Sequence, residues 1–593
     1  MKFRAIEDLE RHLGTVFDAA PPQVAVELCP SEFSGDVTVN CFRLARALRT
    51  APPKIAGTVE EFLRDHADVE SAETIKAFVN VTLNAPALFR DCVADEEALF
   101  GRVCLPEEER RRVLIEFSAP NTNKPQHLGH VRNNTLGQAV TEILRAVGHT
   151  PIPINLVNDR GIHICKSMLA YQRWGDDATP ETAERKGDHL VGDFYVKFDT
   201  EYRRQLAGLR KVNPAFLERS DDDLFLETEI GRAAQDMLRR WEAGDPEVRT
   251  LWETMNAWVL DGFRETYRRM GVEFEHTYLE SETYGLGKDV VQRGLDTGVF
   301  HKRDDGAVCV NLEDQKLDTK VLLRSDGTSV YITQDLGTTL LKQRDYEPDS
   351  QIWIVGDEQI RHFQVLFATL RRLGYDWAEN LTHMAYGMVN LPSGKMKSRE
   401  GTVVDADDLF EEMVRLAREA TLERAGADVP EDLERRAEII GMGALKFMLL
   451  KVNPKTTLMF DPEASIRFEG DTGPYVLYAA ARISSMLRKA GDGALDGDAD
   501  WTALDGTEER DLALRCACYP DSLQKAAADL DTSSLASYLL ELAKAFSRFY
   551  RECPVLTAPT PRQRRARLEL SRRVRSILEH GLDTLTIGHL ESM

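Results

Sequence analysis

The run Val113-Leu114-Ile115-Glu116-Phe117 is apolar and β-branched, the composition of a buried strand. After it, Leu128, Val131, Leu136, Val140, Ile143, Leu144 and Val147 recur at helical spacing, and Gly148 stands where a C-cap glycine would. Pro151 to Val157 returns to strand character. The pattern predicts a strand–loop–helix–strand unit. Ahead of it, Leu9–Leu13 opens a helix, Cys41–Leu48 and Thr58–His66 pattern as two more, and Ile75–Leu83 alternates like one strand. Behind it, a charged, aromatic-studded helical stretch runs from about 175 to 265. Strand–helix–strand alternation resumes after residue 270, with strands at Ala307–Asn311 and Gln351–Val355. From about 466 the pattern is helical, starting at Tyr475–Leu487 and closing at Ile577–Leu590. The Gly- and Asp-rich stretch Ala490–Thr507 reads as a mobile loop.

A chain of 593 residues exceeds one core, so several domains are expected. We expect units at 1–110, 111–465 and 466–593: an α+β unit, an α/β unit split by the insertion at about 175–265, and an all-helical unit. The nine cysteines are scattered without a Cys-x-x-Cys pair, which points to reduced thiols, a cytoplasmic setting and no structural zinc or other metal. No run is long or dry enough to cross a bilayer, and Met1–Glu7 lacks a secretory apolar core. The net charge of −23 argues against indiscriminate nucleic-acid binding, although one face could still be basic. Arg562, Arg564, Arg565, Arg567, Arg572, Arg573 and Arg575 cluster near the C-terminus, and most of them read as a solvated helix face.

The loop Ser118–Gln126 joins strand to helix, with His127 and His130 on the helix's first turn. A helix N-terminus offers free N–H groups and the positive end of a dipole, which suits a nucleotide phosphate. Two imidazoles there can donate to a pentavalent phosphorus, and Gly129, lacking a Cβ, lets a flat base lie against the backbone. A metal pair or ordinary helix-start histidines would also account for His-x-x-His, but no Glu follows in the metalloprotease pattern.

His127-Leu128-Gly129-His130 resembles the "HIGH" motif of class I aminoacyl-tRNA synthetases. The longer Ser118-x-Pro120-Asn121 with Lys124-Pro125-x-His127-x-Gly129-His130 is similar to the arginyl-tRNA synthetase form. Gly35-Asp36 with Asn40 and Ala51-Pro52 resembles that family's N-terminal additional domain, which the family places at the tRNA elbow. Gly470–Ile483 resembles the entry to its helical anticodon-binding domain. The resemblance implies a Rossmann-like nucleotide-binding catalytic domain and attachment of L-arginine to its tRNA through an arginyl-adenylate. It also implies ATP with Mg²⁺ as the substrate complex, tRNA bound before activation, and a monomer.

Gly394–Gly401, with Lys395, Met396, Lys397 and Ser398, stands in the place of the family's "KMSKS" loop, whose cations neutralise departing pyrophosphate. Lys395 matches the first motif lysine. Ser398 replaces the second, and Lys124 or Lys397 would take its part. Arginine is a planar fork of five donors, so its pocket needs carboxylates. Tyr331 and Asp335, four residues apart, share a face if helical and match the family's pocket pair. Glu280 matches a second guanidinium carboxylate. Asn121 matches the asparagine at the substrate's α-ammonium and carboxylate end, Glu116 would either assist at the ammonium or simply stand at the strand end, and Gln359 and His362 match a pocket glutamine and a site histidine. Asn158–His163 departs from the commoner pattern: Arg160 stands for Trp and His163 for Gln, though Gly161 fits. His163 would then hold the substrate carboxylate or the ribose. Rival readings are a small-molecule nucleotidylyltransferase, which would need neither flanking unit, a non-catalytic tRNA-binding paralogue, whose motifs should be eroded, and another class I specificity.

Overall fold

The computed structural model describes residues 1–30, 32–392, 404–426, 428–491 and 493–592. The first unit contains α1 (Arg4–Val16), β1 (Val26–Leu28), β2 (Val37–Asn40), α2 (Pro52–Arg64), β3 (Val69–Ile75) and β4 (Phe78–Leu83). Its strands form an antiparallel sheet in the order β1-β2-β4-β3. Three expectations are corrected here. Cys41–Leu48 is a chain of turns, with Arg43 N–H bonding Asn40 O and Leu44 N–H bonding Cys41 O, and no continuous helix. The third helix starts at Pro52, since proline suits a first helical turn, and ends at Arg64. Ile75–Leu83 is not one strand, because the chain reverses at Lys76, whose φ is +62°, to pair β4 with β3.

The second unit is built on β5 (Arg112–Glu116), α3 (Leu128–Ala146), β6 (Thr150–Val157), α4 (Ile162–Trp174), α5 (Gly187–Val212), α6 (Glu229–Glu242), α7 (Pro246–Met270) and β7 (His276–Leu279). It continues through β8 (Phe300–Lys302), β9 (Val308–Val310), β10 (Lys320–Leu323), α8 (Tyr331–Tyr346), β11 (Ser350–Gly356), α9 (Ile360–Arg372) and β12 (Leu381–Tyr386). Five of these strands make a parallel sheet in the order β12-β11-β5-β6-β7. Strand order reverses between β5 and β11, and ligands of such sheets bind at the carboxyl ends beside that switch point. The expected strand at Ala307–Asn311 lies elsewhere. It is β9 of a separate antiparallel sheet, β10-β9-β8, because short hairpin connections cannot supply a parallel crossover. Helices of the insertion run on to Met270, a few residues beyond the expected limit.

Signature helix α3 lies directly on the sheet. Gly137 makes this possible, since a Cβ there would meet the Phe117 ring at 2.2 Å. The unit closes with β13 (Val389–Asn390), α10 (Ala406–Ala425), α11 (Leu433–Leu450) and β14 (Leu458–Met459), the two short strands pairing in parallel.

The last unit is helical: α12 (Gly473–Ala490), α13 (Thr507–Ala517), α14 (Tyr519–Asp529), α15 (Thr532–Glu552) and α16 (Pro561–Thr584). The final helix ends at Thr584, short of Leu590, because Thr586 turns the chain at φ +59°. The arginine cluster is also corrected, because much of it is pinned rather than solvated. Arg567 is buried, with Nε 2.7 Å from Glu509 and Nη1 2.7 Å from Pro554 O. Arg573 is buried against Glu96 and bonds Val93 O at 3.0 Å. The Arg573 contacts, with Arg510 on Asp36 at 2.6 Å, clamp the first unit to the last. The Ala490–Thr507 stretch is likewise anchored, by Arg564 on Ala490 O, Arg565 on Ala494 O and Trp501 stacked on Phe89. Among the described residues, no helix is long and apolar enough to cross a membrane. All nine cysteines are free.

Candidate functional site

At the end of β5 the chain turns through Ser118 (φ +80°) and Ala119 (φ +46°). Two consecutive non-glycine residues in the left-handed region cost on the order of 1–3 kcal/mol each, so neighbours must hold them. The next residues rejoin the β6 side: Asn158 N–H bonds Pro120 O at 2.9 Å and Thr122 N–H bonds Asn158 O at 3.0 Å. Asn121 thereby forms a bridge with Asn158 and leaves its side chain exposed at the carboxyl end of the sheet.

His127 is the N-cap of α3. Its Nδ1 accepts from Gly129 N–H at 3.1 Å, and His130 Nδ1 accepts from His127 N–H at 3.3 Å. An Nδ1 that accepts must be unprotonated, so each ring carries its proton on Nε2 and can donate outward. Burial, assisted by the charge of Lys124, lowers the His127 pKa to about 4. Burial likewise holds His130 well below the ordinary imidazole value, with His127 and Lys124 adding to the effect. Both rings are therefore neutral donors at pH 7, with centroids 4.0 Å apart. Gly129 serves a need the sequence did not show: a Cβ there would sit 2.9 Å from His127 Cε1 and prevent the imidazole from folding over the turn.

Lys395, Met396 and Lys397 lie outside the described residues. The chain on both sides of that segment is tied to α3. Leu128 N–H bonds Val404 O at 2.9 Å, Ala406 N–H bonds Gln126 O at 3.0 Å, and His127 bridges Asp405. On the other side Arg132, fully buried, bonds the carbonyls of Met388 at 2.9 Å, Pro454 at 3.1 Å and Thr456 at 2.8 Å. Asp405 and Asp407 face the insertion, where Lys186 lies 2.7 Å and His189 2.9 Å from Asp407. Asp188, His189 and Asp407 have ligand atoms close enough to hold a metal. Lys186 stands among them, also 3.3 Å from Asp188, and already supplies positive charge there.

The acidic side of the site comes from three elements. Tyr331 opens α8 and is 81% exposed, and Asp335 lies one turn later. Asp335 Oδ2 is 2.5 Å from His362 Nε2, so the site histidine supports the expected guanidinium carboxylate. Glu280 follows β7 and is half-buried; burial raises its pKa, the charge of Arg160 opposes the rise, and Asp159 and Asp335 add to it. Its carboxylate has no hydrogen-bond or ion-pair partner among the described residues. Gln359 is exposed in the turn after β11.

Two residues to which the sequence assigned no role build this wall. Asp159, buried, accepts from Ser281 N–H at 2.8 Å and Ser281 Oγ at 2.6 Å, which fixes the chain just after Glu280. Arg160 lies 4.1 Å over the Tyr284 ring and 3.3 Å from Glu242, tying the pocket wall to the insertion. The Asn158-Asp159-Arg160-Gly161 string carried the signal, but only its departures from the family pattern drew attention. Glu116 goes against expectation. It is buried and ion-paired with buried Lys342, itself 5.2 Å over Trp353, so its charge is spent inside the core and not offered to a substrate ammonium. His163 Nδ1 lies 3.2 Å from Tyr195 Oη.

The site thus joins neutral donors at a helix N-terminus to an acidic wall, at the carboxyl ends of β5, β6, β7 and β11. Residues 98–461 match the family model described as tRNA synthetases class I (R), catalytic domain. Residues 476–593 match the DALR anticodon binding domain, and residues 4–83 the arginyl tRNA synthetase N-terminal domain. Arginine–tRNA ligase of Parabacteroides distasonis is 43% identical over 583 residues, covering 97% of this chain and 96% of the relative. That of Treponema denticola is 42% identical over 585 residues, covering 97% and 95%. The solved arginyl-tRNA synthetase of Thermus thermophilus superposes over the whole of both chains with a TM-score of 0.79 at 28% identity.

Proposed function

The chain belongs to the class I arginyl-tRNA synthetases, and from that premise we propose how its residues divide the work of charging tRNA with arginine. The overall reaction is ATP-dependent aminoacylation. In the first step a carboxylate oxygen of L-arginine attacks the α-phosphorus of ATP, the bond from that phosphorus to the α,β-bridge oxygen breaks, and pyrophosphate leaves with arginyl-adenylate formed. In the second a ribose hydroxyl of the tRNA's terminal adenosine attacks the arginyl carbonyl, expelling AMP and giving its proton to solvent. No protein nucleophile is required, so positioning and charge stabilisation carry the rate.

His127 and His130 donate from Nε2 to the phosphate oxygens as charge builds at phosphorus. Their depressed pKa values support this role, since a neutral donor costs no proton release at working pH. Gly129 keeps the His127 ring in place and the backbone open to the adenine. Lys124, Lys395 and Lys397 neutralise the pyrophosphate, which enters with Mg²⁺ as part of the nucleotide substrate. Glu280 and Asp335 receive the guanidinium, Tyr331 covers it, and Asn121 and Gln359 hold the rest of the amino acid. His362 orients Asp335, and Glu116 keeps a structural pairing with Lys342. We assign tRNA contacts to the units at 1–110 and 466–593, and a cytoplasmic, monomeric state to the protein.

One observation carries the arginine pocket: among the described residues the half-buried Glu280 carboxylate lacks a hydrogen-bond or ion-pair partner beside Asp335. An unfilled acceptor pair in a desolvated wall rewards a five-donor cation and penalises lysine by orders of magnitude. The test is charging of total tRNA with each amino acid in turn, alongside ATP–pyrophosphate exchange with and without tRNA. Arginine alone should charge. Exchange supported equally by another amino acid would overturn the pocket.

A further inference from the structure

The left-handed corner that presents Asn121 is held by three side chains from three elements. Ser118 N–H donates to Asn133 Oδ1 of α3 at 2.5 Å, and Ala119 N–H donates to Asn155 Oδ1 of β6 at 3.0 Å. The third is Tyr267 of α7, whose Oη lies 2.7 Å from Ser118 Oγ and 3.2 Å from Asn155 Nδ2. The hydrogen-bond directions follow from one another. Asn155 presents its oxygen to Ala119, so its amide donates to the tyrosine oxygen, and the tyrosine proton is directed to Ser118 Oγ. Tyr267 is buried, its ring packed edge-on against Phe274 with centroids 5.1 Å apart. The phenol is therefore locked in place by packing independent of its hydroxyl.

We propose that Tyr267 is a positioning residue for the amino-acid end of the reaction: through Ser118 its hydroxyl keeps Ser118–Ala119 in the left-handed conformation from which Asn121 reaches the substrate. Asn133 and Asn155 belong to the nucleotide-binding framework, whereas Tyr267 belongs to the insertion. Through the Tyr267 hydroxyl the insertion thereby reaches the corner that carries Asn121. Burial pushes the Tyr267 pKa up to about 12. The phenol therefore stays protonated across the working range, and the contact does not switch with pH. This inference rests on the proposed role of Asn121.

The experiment uses the full-length enzyme in ATP–pyrophosphate exchange with tRNA present. Tyr267→Phe removes the hydroxyl and keeps the ring. Its arginine KM should rise about tenfold, the loss expected for one buried hydrogen bond, while the ATP KM changes less than twofold. A glycine reaches φ +80° without support, so adding Ser118→Gly to Tyr267→Phe should restore the arginine KM to within about twofold of wild type. Asn121→Ala is the reference and should raise the arginine KM further than Tyr267→Phe. If Tyr267→Phe weakens arginine and ATP equally, or Ser118→Gly restores nothing, the hydroxyl does not act through the corner and the inference is wrong. If Asn121→Ala raises the arginine KM and Tyr267→Phe does not, only the inference falls. An arginine KM untouched by Asn121→Ala removes the reading of Asn121 and the inference together.

Discussion

Glu280→Gln keeps the size of the side chain and removes its charge. In the free protein that charge is half-buried and has no hydrogen-bond or ion-pair partner among the described residues, and burial is the main reason its pKa is raised. Losing it should leave the melting temperature unchanged or slightly higher, because the cost of burying the carboxylate outweighs its attraction to Arg160. Binding should respond in the opposite sense. Breaking a desolvated carboxylate–guanidinium pair by removing one partner costs about 3–5 kcal/mol when both groups are fully buried. Glu280 keeps some water, so about 2–3 kcal/mol is the better figure, roughly a 30- to 150-fold rise in the arginine KM at 1.4 kcal/mol per decade. The ATP KM should not move. Thermal melts provide an independent reading. At an arginine concentration a hundredfold above the wild-type Kd, ligand adds about 2.7 kcal/mol to the wild type and under about 1 kcal/mol to the variant. A melting temperature lowered by several degrees with an unchanged arginine KM would refute the argument, because the carboxylate would then be holding the fold together.

Lys342→Met should destabilise the protein by about 3–5 kcal/mol, since it strands Glu116 as a buried charge, and adding Glu116→Gln should recover most of the loss; denaturant unfolding checks this, and a larger loss in the double variant would contradict the pairing. Arg132→Met removes a fully buried guanidinium whose three hydrogen bonds to carbonyls join the chain on both sides of residues 393–403, so it should lower stability by about 2–4 kcal/mol and slow pyrophosphate exchange; unchanged unfolding would separate Arg132 from those carbonyls. Stability should fall on acidification from pH 6.5 toward 4. The unfolded chain takes up a proton near 6.5 that His127 refuses until about 4, so the slope is up to about 1.4 kcal/mol per pH unit for this group. His127→Asn keeps an N-cap acceptor without titrating, so its unfolding free energy should depend less steeply on pH in that window; an equal slope would show that His127 titrates normally.

Much of the candidate site's local framework was legible along the chain because its parts are local. The β-branched run before Ser118, the helical period after Leu128 and the histidines between them lie within a few dozen residues, where backbone geometry and periodicity act directly. Tyr331 and Asp335 share a helix face for the same reason. Errors fell where local pattern competes with turn chemistry. Cys41–Leu48 has a helical spacing of apolar residues yet folds as turns, and Ile75–Leu83 alternates through a reversal that Lys76 permits.

Partners could not be read from the sequence. Glu116 looked available to a substrate until folding brought Lys342 against it, 226 positions away. The arginines near the C-terminus looked solvated until Glu509, Glu96 and the Val93 carbonyl met them. Ser118 and Tyr267 share no motif, and only the path of the insertion helix brings one to the other. The chain by itself determined which groups exist and which local frame each one rides on. The tertiary structure decided which charges are already neutralised and which remain open to a ligand, because burial and pairing depend on contacts across hundreds of residues that no local window contains.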